Sequence, residues 1–222
     1  NLIYTDGNGF TLWQDGELIA TVPLDGDIET SGAKLAAPPG LLGLFTDFLA
    51  WQPIAPRSAK QLAGIAARLC RLLREEVAEE LERKNPGLTS LSIEWRNLLF
   101  PEATDKQFAD GYAQAVTFGL VVARVRKIDL ADGLDHAATE LRKASGLIGT
   151  ALRLLVDDEG VKTALASALH TLRRVLNVID WELVSKGDAD AWLYFYEDFL
   201  EVYDNDLRKQ TGSYYTPPQV VD

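Results

Sequence analysis

The residues best suited to chemistry lie near the end of the chain, in the turn Tyr214-Tyr215-Thr216-Pro217-Pro218. The turn combines aromatic rings with a hydroxyl group, and its prolines predict a new helix because proline suits the first helical position. The first N–H groups of a helix have no partner within it, so they can bind a carboxylate. The turn therefore fits a carboxylate site. From these residues alone, an ordinary proline-initiated helix is the simpler interpretation.

Basic residues form several local clusters: Arg68, Arg71 and Arg74; Arg124, Arg126 and Lys127; Arg173 and Arg174; Arg208 and Lys209. The first cluster recurs every three residues and shares one helix face, where nearby glutamates predict a solvated, salt-bridged surface. The helix dipole alone explains the second cluster. Because Arg208 and Lys209 directly precede the turn, they are the candidates for a phosphate contact.

The other candidates for catalysis or metal binding lack the spacing that such sites need. His136 and His170 belong to no ligand motif and are predicted to be structural. Cys70 lies on an apolar helix stripe, which predicts a small buried hydrophobe, and no G-x-S-x-G nucleophile motif occurs. A solvated face is predicted for the glutamates Glu75, Glu76, Glu79, Glu80 and Glu82. We therefore predict no catalytic residue and no metal ligand.

Composition limits the classes of function. The net charge of the 222 residues is −11, whereas a domain that mainly grips phosphates is usually basic. Contact with nucleic acid is thus expected only at a local patch. The hydrophobic fraction of 47% suffices for a sizeable core, and no run approaches the length of a membrane span. A single cysteine rules out a disulfide framework within the chain and favours a cytoplasmic location.

The elements that position these residues are predicted to be mostly helical, with a short N-terminal β-hairpin or meander. Strands are expected at 2–5, 10–13 and 18–24, and the Asp15-Gly16 pair is a strong hairpin signal. Two capping boxes, Ser58-x-x-Gln61 and Thr104-x-x-Gln107, open the long helices. Helices are predicted at 41–51, from 58 to the loop at 84–87, and at 104–126, 134–143, 146–156, 161–179 and 189–203.

Two apolar stripes are predicted to face the core of this helical bundle. On the first long helix the stripe is Leu62, Ile65, Leu69, Leu72, Leu73, Val77 and Leu81; on the second the face is Phe108, Tyr112, Ala115, Val116, Gly119, Leu120 and Ala123. On the last helix, Phe195, Phe199 and Val202 recur at helical spacing. The small residues Gly111, Ala113 and Gly119 predict close helix contacts.

The succession of motifs from Phe195 to Val221 carries a family resemblance. It consists of Phe195-Tyr196-Glu197, Phe199-Leu200, Tyr203-Asp204, Leu207-Arg208-Lys209, Gly212, Tyr214 to Pro217 and Val220-Val221. The order resembles the entry to the methyltransferase domain of adenine-N6 DNA methyltransferases from restriction–modification systems. The single-polypeptide enzymes (Type ISP and IIG), which carry nuclease and methylase in one chain, are most similar. Asn205 stands where proline is common in that family.

The resemblance implies a cofactor, a partner and a domain order. The cofactor would be S-adenosylmethionine, with Tyr215, Thr216 and Pro217 lining its pocket, and Arg208 and Lys209 would contact DNA. Residues 1–30 would be the closing strands of an upstream nuclease-like domain. Residues 31–205 would form a helical connector, and residues 206–222 would begin the methyltransferase domain. The chain would then be an internal fragment, which fits its complete lack of methionine.

The catalytic N-P-P-Y loop of that family, which holds the flipped target base, does not occur in this sequence. The acidic-acidic-lysine core of the nuclease is not recognisable either. This chain by itself is therefore expected to be inactive. A helical protein-interaction or scaffold module without nucleic-acid chemistry is the alternative interpretation.

Overall fold

The computed structural model describes residues 2–14, 17–26, 29, 32, 35–50, 52–98, 100–188 and 190–204. The predicted fold class is confirmed, because these residues form a mainly helical protein with a small antiparallel N-terminal sheet. None of the described helices is long and apolar enough to span a membrane. The described residues divide into two compact units, those up to residue 53 and those from residue 54 onward.

The first unit contains three strands, β1 (Leu2–Thr5), β2 (Gly9–Gln14) and β3 (Glu17–Pro23), in the order β1-β2-β3. The predicted hairpins are confirmed, with Ile3 opposite Leu12 and Leu12 opposite Ala20. Between β1 and β2 the Asp6 carboxylate accepts hydrogen bonds from the backbone N–H groups of residues 8 and 9. This Asx turn connects the two antiparallel strands.

Helix α1 (Leu41–Leu49) packs on one face of this sheet. Leu12, Val22 and Leu44 are buried between them, and the rings of Phe10 and Phe45 lie 5.7 Å apart. A three-stranded sheet this small needs such a cover to remove an apolar face from water. The sequence assigns α1 to the helical connector, but α1 belongs to the first unit.

The second unit consists of nine described helices. They are α2 (Ala59–Glu82), α3 (Pro86–Leu98), α4 (Asp105–Val125), α5 (Leu134–Ala144), α6 (Gly146–Val156), α7 (Glu159–Ala164), α8 (Ala166–Asn177), α9 (Trp181–Ser185) and α10 (Ala191–Tyr203). The most extensive packing joins α2 to α10, and α2 also packs against α4. These three helices surround the centre of the core.

Both predicted caps form, although they differ in detail. At α4 the capping box is complete, because the side chains of Thr104 and Gln107 each bind the other residue's backbone N–H. At α2 the Ser58 hydroxyl accepts a hydrogen bond from the Gln61 N–H, but the Gln61 side chain binds the N–H of Arg57 instead. Each arrangement satisfies N–H groups that a helix start leaves unpaired.

The core stripe of α2 differs from the predicted one. Leu62, Leu73, Val77 and Leu81 are buried as expected, but Ile65 and Leu69 are half-buried and Leu72 is exposed. The fully buried positions between them are Ala63, Ala66, Ala67 and Cys70. Small residues here let α4 and α10 approach α2 closely, which a search for large apolar residues does not detect. On α4 the predicted face is confirmed except at Ala115, which is exposed.

Helices α3 and α9 are missing from the sequence prediction. The sequence indicates a loop at 84–87, but Pro86 is the first residue of α3, and the Asn85 side chain accepts a hydrogen bond from the Leu88 N–H. Trp95 of α3 then packs against Phe108 and against Gly111. The helix predicted at 161–179 is two helices, α7 and α8, which meet at Leu165.

Candidate functional site

Helix α10 carries a row of aromatic side chains on its buried side. Trp192, Phe195, Phe199 and Tyr203 recur every three or four residues, and Phe118 of α4 packs against the two phenylalanines. The Phe199 and Tyr203 rings are stacked with their centroids 5.1 Å apart. The predicted core positions Phe195 and Phe199 are confirmed, whereas Val202 is 37% exposed and Tyr203 takes its place.

Tyr203, the last residue of α10, joins three helices through polar contacts. Its hydroxyl donates a hydrogen bond of 2.5 Å to the carboxylate of Asp110 on α4. The guanidinium group of Arg74 on α2 lies 5.2 Å from the centre of the Tyr203 ring and 3.8 Å from the Asp110 carboxylate. Gln114 donates a hydrogen bond of 2.9 Å to the other carboxylate oxygen. We call Arg74, Asp110, Gln114 and Tyr203 the anchor cluster.

Cys70 lies beneath the anchor cluster and is fully buried. Burial raises the pKa of its thiol to about 12, and interactions with the side chains of Thr117 and Tyr203 only partly oppose this. The thiolate is the nucleophilic form of cysteine, so this thiol is unsuited to catalysis at neutral pH. The expectation of a small buried hydrophobe is therefore confirmed for Cys70.

The buried tyrosines serve as hydrogen-bond donors. Burial raises the pKa of Tyr203 above its ordinary value, and the hydrogen bond to Asp110 acts in the same direction. Burial alone raises the pKa of Tyr112, whose hydroxyl donates to the backbone oxygen of Leu155 at 2.9 Å. Both phenols stay protonated over the ordinary pH range. Their hydroxyl groups thus act as donors in hydrogen bonds that fix the positions of the helices.

The predicted site residues Tyr215, Thr216, Pro217, Arg208 and Lys209 lie outside the described residues. The last described residue is Asp204, which directly follows the anchor cluster. Only the helical part of the motif succession is therefore described. Its aromatic positions Phe195, Phe199 and Tyr203 are buried and have a packing role.

The two histidines and the acidic residues form no metal site within the described ranges. No group of three His, Cys, Asp or Glu side chains there could hold a metal ion. His136 lies 3.7 Å from Asp132 at the surface, and His170 is exposed.

The glutamates of α2 differ in their roles. Glu79 and Glu80 form ion pairs with Arg83, as a salt-bridged face predicts. Glu76 instead accepts a hydrogen bond from the backbone N–H of Ala168, near the start of α8. It thereby satisfies one of the N–H groups that the start of a helix leaves unpaired. The prediction of a wholly solvated face is wrong for Glu76.

The arginines of α2 do not pair with these glutamates. Arg74 contacts Asp110 and Tyr203, while Arg68 and Arg71 form no ion pair with any described residue. The predicted salt-bridged face is therefore wrong for this cluster. Arg124 belongs to the basic cluster whose position at a helix end the helix dipole explains. It also donates hydrogen bonds to the backbone oxygens of Ile128 and Ile179.

An apolar groove lies between α3 and the start of α4. It encloses about 470 Å³ and is lined by Trp95, Phe100, Pro101, Glu102, Ala103 and Gln107. The Trp95 and Phe100 rings have centroids 4.9 Å apart. With Phe100 56% exposed and Leu98 80% exposed, this is a surface that a partner protein could cover.

The sequence did not reveal the anchor cluster. Tyr203 belonged to the motif succession, but Asp110 and Arg74 had no signal that linked them to it.

Comparison of the chain with models of protein families, with curated proteins and with solved structures finds no match.

Proposed function

We propose that the chain is part of a restriction–modification enzyme that methylates adenine N6 in DNA with S-adenosylmethionine and also carries an endonuclease. In this proposal the fragment is a helical coupler between the nuclease-like and methyltransferase domains. The observation that carries it is the motif succession from Phe195 through Leu207-Arg208-Lys209 to Tyr214-Tyr215-Thr216-Pro217. The N-terminal strands followed by the helical connector fit the domain order of such an enzyme.

The structure is compatible with a coupling role. The hydrogen bond from Tyr203 to Asp110 fixes the end of α10 on α4, and the proposed cofactor-binding residues follow 12 to 14 positions later in the sequence. In the proposed enzyme, Tyr215, Thr216 and Pro217 line the cofactor pocket, and Arg208 and Lys209 contact DNA phosphates.

A direct test is the coding sequence after residue 222. The proposal requires about 150 further residues with a glycine-rich strand–turn and then an N-P-P-Y loop. That longer polypeptide should transfer a labelled methyl group from S-adenosylmethionine to adenine in duplex DNA. The chain of 222 residues alone should not, because it has no N-P-P-Y sequence. Methyl transfer by the short chain, or a longer frame without these motifs, would refute the proposal.

A helical protein-interaction or scaffold module is the second candidate. The groove of Trp95 and Phe100, with the exposed Leu98 nearby in sequence, favours it because monomeric proteins rarely expose contiguous apolar surface. A stop codon shortly after residue 222 would support this candidate over the methyltransferase.

A further inference from the structure

Helix α2 and the residues that lead into it carry a strongly divided charge. The 18 residues from Arg57 to Arg74 contain five basic side chains and no acidic one, whereas residues 75–82 contain five acidic side chains and no basic one. The first turn of α2 has no acidic residue, and its last turn has no basic residue. A stretch of this length whose only charged side chains are basic is unusual in a chain whose net charge is −11.

This distribution opposes the helix dipole. Acidic side chains stabilise the N-terminal end of a helix and basic ones the C-terminal end, each by about 0.3–1 kcal/mol. Helix α2 has the reverse order, so its charges lower its own stability. The same order adds the positive end of the dipole to the charge of the basic side chains. The result is a concentrated positive potential that attracts anions.

Three of the five basic residues, Lys60, Arg68 and Arg71, lie on one side of α2. At about 100° per residue they fall within an arc of about 80°, and Arg57 directly precedes Ser58, the N-cap of the helix. Arg57, Lys60 and Arg68 are exposed, and Arg71 is half-buried. None of the four forms an ion pair with another described residue. We call these four residues the basic stripe.

The fifth basic residue has a different role. Arg74 is occupied by Asp110 and by the ring of Tyr203, so it belongs to the anchor cluster. Its partners show that this helix can pair an arginine where the fold requires one. Among the described residues, the four members of the basic stripe have no acidic partner of this kind, so no ion pair there accounts for their charge.

The side of α2 opposite the basic stripe indicates which kind of anionic partner, a membrane surface or a soluble polyanion, the stripe can bind. Leu62, Ala66 and Cys70 on that side are completely buried in the core. A helix that binds a lipid surface places its apolar face in the bilayer, and here that face is already covered. A polyanion that needs only charge contacts fits better than a membrane.

We propose that the basic stripe binds phosphates of duplex DNA. From residue 60 to residue 71 the helix rises about 17 Å, and phosphates of one DNA strand follow each other every 3.4 Å along the duplex axis. A straight row of charges can therefore meet several phosphates along a strand. This inference rests on the proposed function only in its choice of DNA as the polyanion. It places a contact in the helical unit, away from Arg208 and Lys209.

The experiment measures binding of the 222-residue chain to a fluorescent 20-base-pair duplex of arbitrary sequence, by anisotropy at a series of salt concentrations. Each neutralised phosphate contributes about −0.9 to the slope of log K against log salt. The triple variant Lys60→Gln/Arg68→Gln/Arg71→Gln should make this slope shallower by about 2–3 and weaken binding at least tenfold at low salt. A matched control, Lys106→Gln/Arg126→Gln/Arg142→Gln, changes the net charge equally at exposed positions without ion pairs among the described residues.

An unchanged slope in the stripe variant, or an equal loss in the control, would overturn the proposal. So would binding to phosphatidylglycerol vesicles that is as tight as DNA binding and equally sensitive to the stripe variant. The single variant Arg68→Lys keeps the charge and should retain the slope, which guards against a loss caused by misfolding. The assay contains no cofactor, so a coding sequence without methyltransferase motifs would refute the proposed function and leave this result standing.

Discussion

The Tyr203 hydroxyl and the Asp110 carboxylate lie 93 positions apart in sequence and 2.5 Å apart in the structure. One residue ends α10, and the other lies in the second turn of α4. Arg74 of α2 contacts both, so the three central helices share one polar junction. The junction holds the end of α10 in a fixed position, from which the proposed cofactor-binding segment continues.

Tyr203→Phe removes the hydroxyl and keeps the stacked ring. Hydrogen bonds to charged groups contribute about 1.5–3 kcal/mol, and this change leaves a half-buried Asp110 with one partner fewer. We expect the free energy of unfolding to fall by about that amount, measured by urea denaturation. Tyr194→Phe is the control, because its hydroxyl has no hydrogen bond among the described residues. Equal stability of the two variants would contradict the role of the junction.

Gly149→Ala should destabilise the second unit strongly. A Cβ atom at Gly149 would clash with the backbone nitrogen and the Cα of Arg142, so α5 and α6 would have to separate. Overpacking of a core costs about 1–3 kcal/mol, and a clash with backbone lies at the upper end or above. Gly146→Ala in the same helix meets no atom within 4 Å and should leave the melting temperature unchanged or slightly raised.

The regular elements could be predicted because their signals are local. Helix α6 and strand β1 have the predicted bounds, and the capping box at Thr104 marks the start of α4. Helix α3 was missed because Pro86 and Gly87 are typical of loops, although proline also suits a first helical position.

The anchor cluster could not be predicted for a different reason. Its contacts join residues far apart in sequence, and nothing near Asp110 shows that a tyrosine from α10 will reach it. The buried alanines of α2 could not be predicted for the same reason. They are small because α4 and α10 pack closely there, and that packing joins helices far apart in sequence. Local patterns predict elements, while the partner of each side chain depends on how the helices are arranged.

Glu76 should make stability depend on pH. Burial raises the pKa of its carboxyl above the ordinary value for glutamate, and the hydrogen bond from Ala168 only partly opposes this. The folded state therefore binds the proton more tightly than the unfolded state. The stability that protonated Glu76 contributes is fully present below the pKa that Glu76 has in the unfolded state. It is lost as the pH rises through the pKa that Glu76 has in the folded state. Glu76→Gln should reduce the loss of stability between pH 4 and pH 7 in urea titrations, whereas the exposed Glu82→Gln should not.

Cys70 should resist thiol reagents in the folded protein. Its pKa of about 12 leaves almost no thiolate at pH 8, and its side chain is fully buried. Labelling by dithionitrobenzoate should therefore be slow in buffer and fast in denaturant. Because Cys70 is the only cysteine, the signal needs no correction for other thiols. Rapid labelling under native conditions would show that the packing of α2, α4 and α10 opens readily.

Thr216→Val tests the proposed cofactor site in the longer polypeptide. The substitution keeps the shape of the side chain and removes its hydroxyl group. If Thr216 binds S-adenosylmethionine, the unpaired partner costs about 1–3 kcal/mol, which is roughly a tenfold to hundredfold loss of affinity. Isothermal calorimetry measures the affinity, and a thermal melt of the same sample should stay unchanged because the substitution keeps the shape of the side chain. Unchanged affinity would leave Tyr214 to Pro218 as a plain helix start. If the affinity and the melting temperature both fall, the affinity loss has two possible causes, a lost contact with the cofactor or a destabilised fold. Tyr215→Phe is then the next test, because it removes a different hydroxyl from the same turn.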